Sequence, residues 1–255
     1  MRIKSFVLLL VLAVSFSVTL KAEQETQVNV VVDMTAEGKA VLHPTALNPT
    51  YYFPIIGGYK EMGATVAGEK IPAVRPIIHE LAVELSKQGY LVVSKKNPTP
   101  DIILVMYWGY MNPDVLDLGE SGGPGDPSSK VQLNQNQMLA LVAGNTLRNI
   151  QLNFEKEDIM QAAEDDRYFL ALNAYDYKLY HNSKKKVLLW QAKLSTPSAG
   201  VDLDQVLPIL IKAGGPMFGK ETIRPELVTL PTTPEGKVEV GTPRLKEFQN
   251  SNSIK

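Results

Sequence analysis

The sequence predicts an α+β domain: a mostly antiparallel sheet with amphipathic helices packed on one face, joined by long irregular loops. Three stretches carry that prediction. From Val74 the chain reads VRPIIHELAVELSK, which places Val74, Ile77, Ile78, Leu81 and Leu85 at the spacing of one helical face. Residues 101–108 form a near-continuous apolar run, the pattern of a central strand covered on both faces. In residues 187–194, Leu188, Trp190, Ala192 and Leu194 alternate with Val187, Leu189, Gln191 and Lys193, the period of a half-buried strand.

In chain order, residues 1–22 read as a cleaved secretory signal. Arg2 and Lys4 supply the charged start, residues 5–18 an apolar core short of a membrane span, and Leu20-Lys21-Ala22 a cleavage site. An uncleaved anchor is the alternative, because Leu20 and Lys21 suit the peptidase poorly. No later segment is long and apolar enough to span a bilayer, so the mature chain is expected to have no transmembrane helix. The expected location is periplasmic or secreted. The chain has no cysteine, so no disulfide framework and no lipidated N-terminal cysteine is possible, and stability must come from the core. Removing residues 1–22 takes three basic residues and no acid from totals of 26 and 27, leaving a net charge of −4. That balance argues against a nucleic-acid partner.

Residues 23–222 are expected to form one domain. Residues 27–33 (QVNVVVD) read as its first strand. From 34 to 72 no period persists, and His43-Pro44, Asn48-Pro49, Phe53-Pro54 and Gly57-Gly58 mark a long irregular connection carrying an aromatic cluster, Tyr51, Tyr52 and Phe53. The helix at 74–88 should stop at Gly89, where positive φ is needed. Short strand 90–94 and strand 101–109 follow. A Gly/Pro-rich insertion spans 112–137, then helices are expected at 138–150, interrupted at Gly144-Asn145, and at 154–166. Residues 167–180 and 186–195 read as a hairpin turned by His181-Asn182-Ser183-Lys184-Lys185. A second amphipathic helix is expected at 202–213, capped by Asp202 and containing Pro208. Residues 223–255 read as an extended polar tail, with a possible strand at 238–240. The link from the first strand through helix 74–88 suggests a parallel crossover. There is no internal repeat.

Motifs for chemistry are weak. GGPMFGK, from Gly214 to Lys220, has phosphate-loop spacing but continues with Glu221 and follows a helix. His43, His79 and His181 lie apart, and His79-Glu80 meets Val83 where a zinc motif needs histidine, so neither metal nor cofactor is expected. There is no G-x-S-x-G. Acid and base for a hydrolase would have to come from separate strands, with Asp101, Asp176 and His79 the candidates. Tyr175-Asp176-Tyr177, read as strand, puts both tyrosines on one face. Together with Tyr107, Trp108 and Tyr110 on the central strand and Tyr51 and Tyr52 in the loop, they form the candidate binding set. Trp190 reads as core. Lys184-Lys185-Lys186 reads as a solvated tip.

At Gln88-Gly89-Tyr90, at the Pro100-Asp101 step into the apolar strand, and at Leu189-Trp190-Gln191-Ala192, the chain is similar to a bacterial envelope family of unknown function. Members of that family are often outer-membrane-associated lipoproteins. The resemblance covers about half of the mature chain and implies an envelope location and an α+β domain, with no active site; the missing lipidated cysteine and the long loops depart from it. The function expected is therefore that of an exported, non-catalytic envelope protein that binds a protein or an envelope component. The alternatives are a secreted hydrolase or a small-ligand binder using the aromatic patch.

Overall fold

The computed structural model describes residues 25–63, 71–117, 130–148, 150 and 153–232. The signal segment, residues 118–129 of the Gly/Pro-rich insertion and residues 238–240 lie outside the described residues. Seven strands make one mixed sheet in the order β3-β2-β4-β7-β8-β1-β9. They are β1 (Glu25–Met34), β2 (Thr50–Met62), β3 (Tyr90–Val92), β4 (Ile102–Met111), β7 (Arg167–Asp176), β8 (Leu188–Pro197) and β9 (Glu226–Pro231). Pairings β2–β3 and β2–β4 are parallel, and the four from β4 to β9 are antiparallel. The parallel crossover thus leaves from β2; β1 is antiparallel to both its neighbours. Strands β5 (Val115–Asp117) and β6 (Lys130–Gln132) form a separate two-stranded ribbon at the insertion.

The two large amphipathic helices, α2 (Val74–Lys87) and α6 (Leu203–Gly214), pack on one face as the periodicity requires. Ile77, Leu81 and Leu85 of α2, with Val206, Leu207, Leu210 and Ile211 of α6, meet Val28, Val30 and Val32 of β1 and the even-numbered side of β4. Fully burying each such aliphatic is worth roughly 1.5–3 kcal/mol, which explains why this face sets the register of the strands. Helix α6 takes Asp202 at its cap position without a side-chain capping bond, and runs through Pro208. The opposite face has a smaller cluster of its own. There α3 (Gln135–Val142) and α4 (Asn153–Ala162) place Met138, Leu141, Val142 and Ile159 against Met111 and Phe169. A 3-10 turn at Gly144–Arg148 interrupts the helical run where Gly144 takes a φ of 55°.

Four expectations change. The connection expected to be irregular over 34–72 is not so across its described residues, 34–63 and 71–72: they hold α1 (Ala36–Ala40) and the 13-residue β2. Pro54 and a register shift between Ile56 and Gly58 obscured the strand; β3 pairs only residues 50–52 of it, and a partly open edge tolerates both features. Residues 177–183 are not strand and turn but α5 (Tyr177–Ser183), whose N-cap Asp176 accepts the Leu179 N–H at 2.8 Å. Lys184 then ends it in the left-handed region. Residues after 222 do not all form an extended tail, because β9 pairs antiparallel with β1 from Glu25–Pro231 to Val30–Glu226. The short strand ends at Val92 rather than 94.

Candidate functional site

Strand alternation divides the predicted aromatic set between the two faces of the sheet. Tyr52, Trp108 and Tyr110 point into the α2–α6 core, each less than 5 % exposed. Burial pushes the Tyr52 phenol up to about 12. Tyr110 donates its hydroxyl to Asp166 Oδ2 at 2.5 Å, and burial followed by that carboxylate holds it at about 12. These three side chains build the interior. Tyr177 falls in α5 and stacks on His181, ring centroids 5.6 Å apart.

Tyr51, Tyr107 and Tyr175 are brought together on the other face. The register Phe53–Ile103, Ile55–Val105, Ile103–Tyr175 and Tyr107–Ala171 sets them beside Phe53, Ile55 and Val105. Phe53 is 49 % exposed and Ile55 40 %, while Val105, Tyr107 and Tyr175 are half-buried. Lys60 Nζ lies 5.8 Å from the Tyr107 ring centroid, a cation–π contact. Burial, then the neighbouring Tyr107, raises the Tyr175 phenol. Tyr51 is tied down by Asn97 Nδ2, which donates to its hydroxyl at 2.8 Å. The apolar surface gives way along β8 and β1 to polar pairs: Gln191 donates to Asn173 at 2.6 Å and Lys193 bridges to Asp33 at 2.9 Å. Phe53, named in the aromatic cluster but left out of the binding set, and Ile55 were not assigned to this face because β2 read as loop, although its run of aromatic and β-branched residues was a strand signal.

The acid–base candidates take structural work. Asp101 and Asp176 end neighbouring strands, with Tyr177 N–H donating to the Asp101 carbonyl at 3.0 Å. The Asp101 carboxylate accepts the Tyr51 N–H at 3.0 Å and that of Asp176 caps α5. His79 is exposed on α2. His43 packs edge-on to Tyr90, and its imidazole is held below the ordinary range by burial and then by Lys220. Lys220, of the phosphate-loop lookalike, donates instead to Gln88 Oε1 and the Pro216 carbonyl. Among the described residues no three of His, Asp or Glu gather as a metal site, and no helix is long and apolar enough to cross a membrane.

A family-model scan finds no match, and a search of curated proteins finds none. Among solved structures, the chain is similar to a dodecamer of PelC from Paraburkholderia phytofirmans, with 11 % identity and a TM-score of 0.32. That likeness covers 74 % of this chain and 97 % of the PelC chain.

The sequence also gave no sign of a cleft of about 540 Å³ at the far end of the same sheet face, between α4, β1 and β9. Its walls include Asn29, Glu155, Asp158, Arg167, Arg224 and Glu226. Arg167 and Asn29 are buried, 4 % and 5 % exposed. Burial pushes the Arg167 guanidinium down to about 10, with Asp165 acting in the opposite direction. These residues come from β1, α4, β7, β9 and the segment just before β9, so no local spacing could have announced them.

Proposed function

We propose that the protein is an exported, non-catalytic envelope protein that binds a protein or cell-envelope component through the sheet face bearing Phe53, Ile55, Val105, Tyr107 and Tyr175. One observation carries the reading: an apolar and aromatic surface spread over three adjacent strands, on the side away from α2 and α6, with Phe53 and Ile55 exposed. Contiguous exposed apolar surface rimmed by polar pairs is the composition of a recognition site, and aromatic residues dominate binding energy at such sites. The signal-like first 22 residues support export. On this reading Asp101 and Asp176 hold strand ends in place and do not turn over a substrate.

The test is site-specific photocrosslinking in intact cells, with a benzophenone side chain at Phe53 or, as control, at exposed Asp204 on α6. A discrete product from position 53 and none from position 204 is expected. Phe53→Asp should abolish partner retention while changing stability by no more than about 0.5 kcal/mol, as for other exposed sites. Identical labelling from both positions, or no product from 53, would sink the reading.

A further inference from the structure

At the floor of the cleft three polar residues form a row across three strands. Asn29 of β1 is paired in register with Ser195 of β8, and Arg167 at the start of β7 donates through Nε to Ser195 Oγ at 3.1 Å. Arg167 Nη1 reaches the Ala162 carbonyl at 3.4 Å. No described carboxylate lies within ion-pair distance of this guanidinium, although the residue is 96 % removed from solvent. Asn29 has a complementary deficit. Its Nδ2 donates to the Val142 carbonyl at 2.5 Å, yet its Oδ1 is buried and meets no donor among the described residues.

A buried guanidinium whose nearest acid, Asp165, is too far for an ion pair, and a buried acceptor with no donor among the described residues, are each costly, and native proteins rarely keep either without a reason. Here both residues line one cleft, with Asn29 Oδ1 itself closed off beneath its surface. Its rim has the opposite character: Glu155, Asp158, Asp165 and Glu226 supply four carboxylates, against Arg224 alone. A simple anion would satisfy the floor and be repelled by the rim; a simple cation would do the reverse. A molecule carrying both charges, separated by a short backbone, satisfies the two together. The volume lies within the range of small-molecule sites.

From this arrangement we infer that the cleft binds a small zwitterion of the amino-acid or short-peptide class. The free carboxylate sits on Arg167, where the planar guanidinium can hold it with paired hydrogen bonds. A small turn of the Asn29 amide lets Oδ1 accept the N–H next to that carboxylate, and the ammonium faces Asp158, Glu155 and their neighbours. This site is separate from the aromatic sheet face, so crosslinking from Phe53 neither supports nor weakens it.

Calorimetric titration of the purified mature protein tests the inference with three probes: tri-alanine, its C-terminal amide and its N-acetyl form. Tri-alanine should bind saturably. The amide, which lacks the carboxylate, should bind roughly thirtyfold more weakly or worse, the loss that follows when a buried charge keeps no partner. The N-acetyl form should bind several-fold more weakly than tri-alanine, and the E155Q/D158N variant should erase that difference. Arg167→Gln should abolish binding. If that variant does not fold, as its circular dichroism will show, the probe series on wild type and E155Q/D158N decides the matter. No saturable binding of tri-alanine up to about 10 mM, an affinity near the weak limit of specific recognition, overturns the proposal. So does equal affinity for acid and amide.

Discussion

Gly89 shows how one residue can be fixed by two constraints at once. It follows Gln88 at the end of α2 with a φ of 83°, a conformation that costs any L side chain energy. A Cβ built there would also lie 2.8 Å from Thr45 N and 2.9 Å from the Pro44 carbonyl carbon, both backbone atoms unable to swing aside. The Gly89 carbonyl meanwhile accepts the Thr50 N–H at 3.0 Å, which starts β2 beside β3. Gly89→Ala should therefore destabilise the fold by about 2 kcal/mol or more, strain and steric conflict adding together. A urea midpoint unchanged from wild type would contradict that account. The sequence signalled the turn but not the close approach, which depends on a segment 44 residues earlier. Asp176 is the reverse case. Its capping role was locally readable, since a residue that accepts an N–H three positions on is a helix-start signal, but the Tyr-x-Tyr alternation read more strongly as strand.

Among the elements, those with unbroken periodicity were legible: α2 and α6 by their apolar stripes, β4 by its length of buried residues, β8 by alternation. Those that failed sit where local pattern and tertiary role disagree. Strand β2 lies near the sheet edge, where its ladder with β4 absorbs Pro54 and a one-residue bulge at Ile56–Gly58, features that broke the local strand pattern. Strand β9 has only six residues, none buried, and its partner is about 200 residues away, so nothing nearby marks it as strand. The candidate site divided in the same way. Tyr107 was found at the end of the apolar run of β4 and Tyr175 by alternation, whereas Asn29 and Arg167 are linked only through Ser195 by long-range pairing of β1, β8 and β7. Strand β9 also covers one edge of β1, whose residues from Val28 to Val32 are buried. Truncation after Arg224 should leave the other elements intact and expose that edge, a template for pairing with another chain. The truncated protein is expected to melt at lower temperature and to scatter light increasingly with concentration. A monomer of unchanged melting temperature would show that β9 adds nothing to the sheet.

At the scale of the whole molecule, the core is organised around aromatic side chains that keep their hydroxyls away from water, and this makes stability depend on pH at the alkaline end. Tyr52 and Tyr90 have their phenols pushed up to about 12, in both cases chiefly by burial. In the unfolded chain each ionises near 10. Between about pH 10 and 12 the unfolded chain therefore releases protons that the folded protein keeps, and stability falls as pH rises. The contribution of each tyrosine is complete below about pH 10 and is lost through about pH 12, at roughly 1.4 kcal/mol per pH unit, or about 2.7 kcal/mol for the pair. Tyr110 acts in the same direction, and Arg167, lowered to about 10, in the opposite one. The net slope alone is therefore uninformative, and the difference between wild type and the Y52F/Y90F variant isolates the two phenols. Urea denaturation from pH 9.5 to 11.5 should give a wild-type stability that falls more steeply than the variant's by about 2.7 kcal/mol per pH unit. The part of the tyrosinate absorbance that the wild type has and Y52F/Y90F lacks should appear only as the wild-type protein unfolds. Parallel slopes would mean that Tyr52 and Tyr90 ionise freely in the folded protein, and that the interior between the sheet and α2 is wetter than its packing requires.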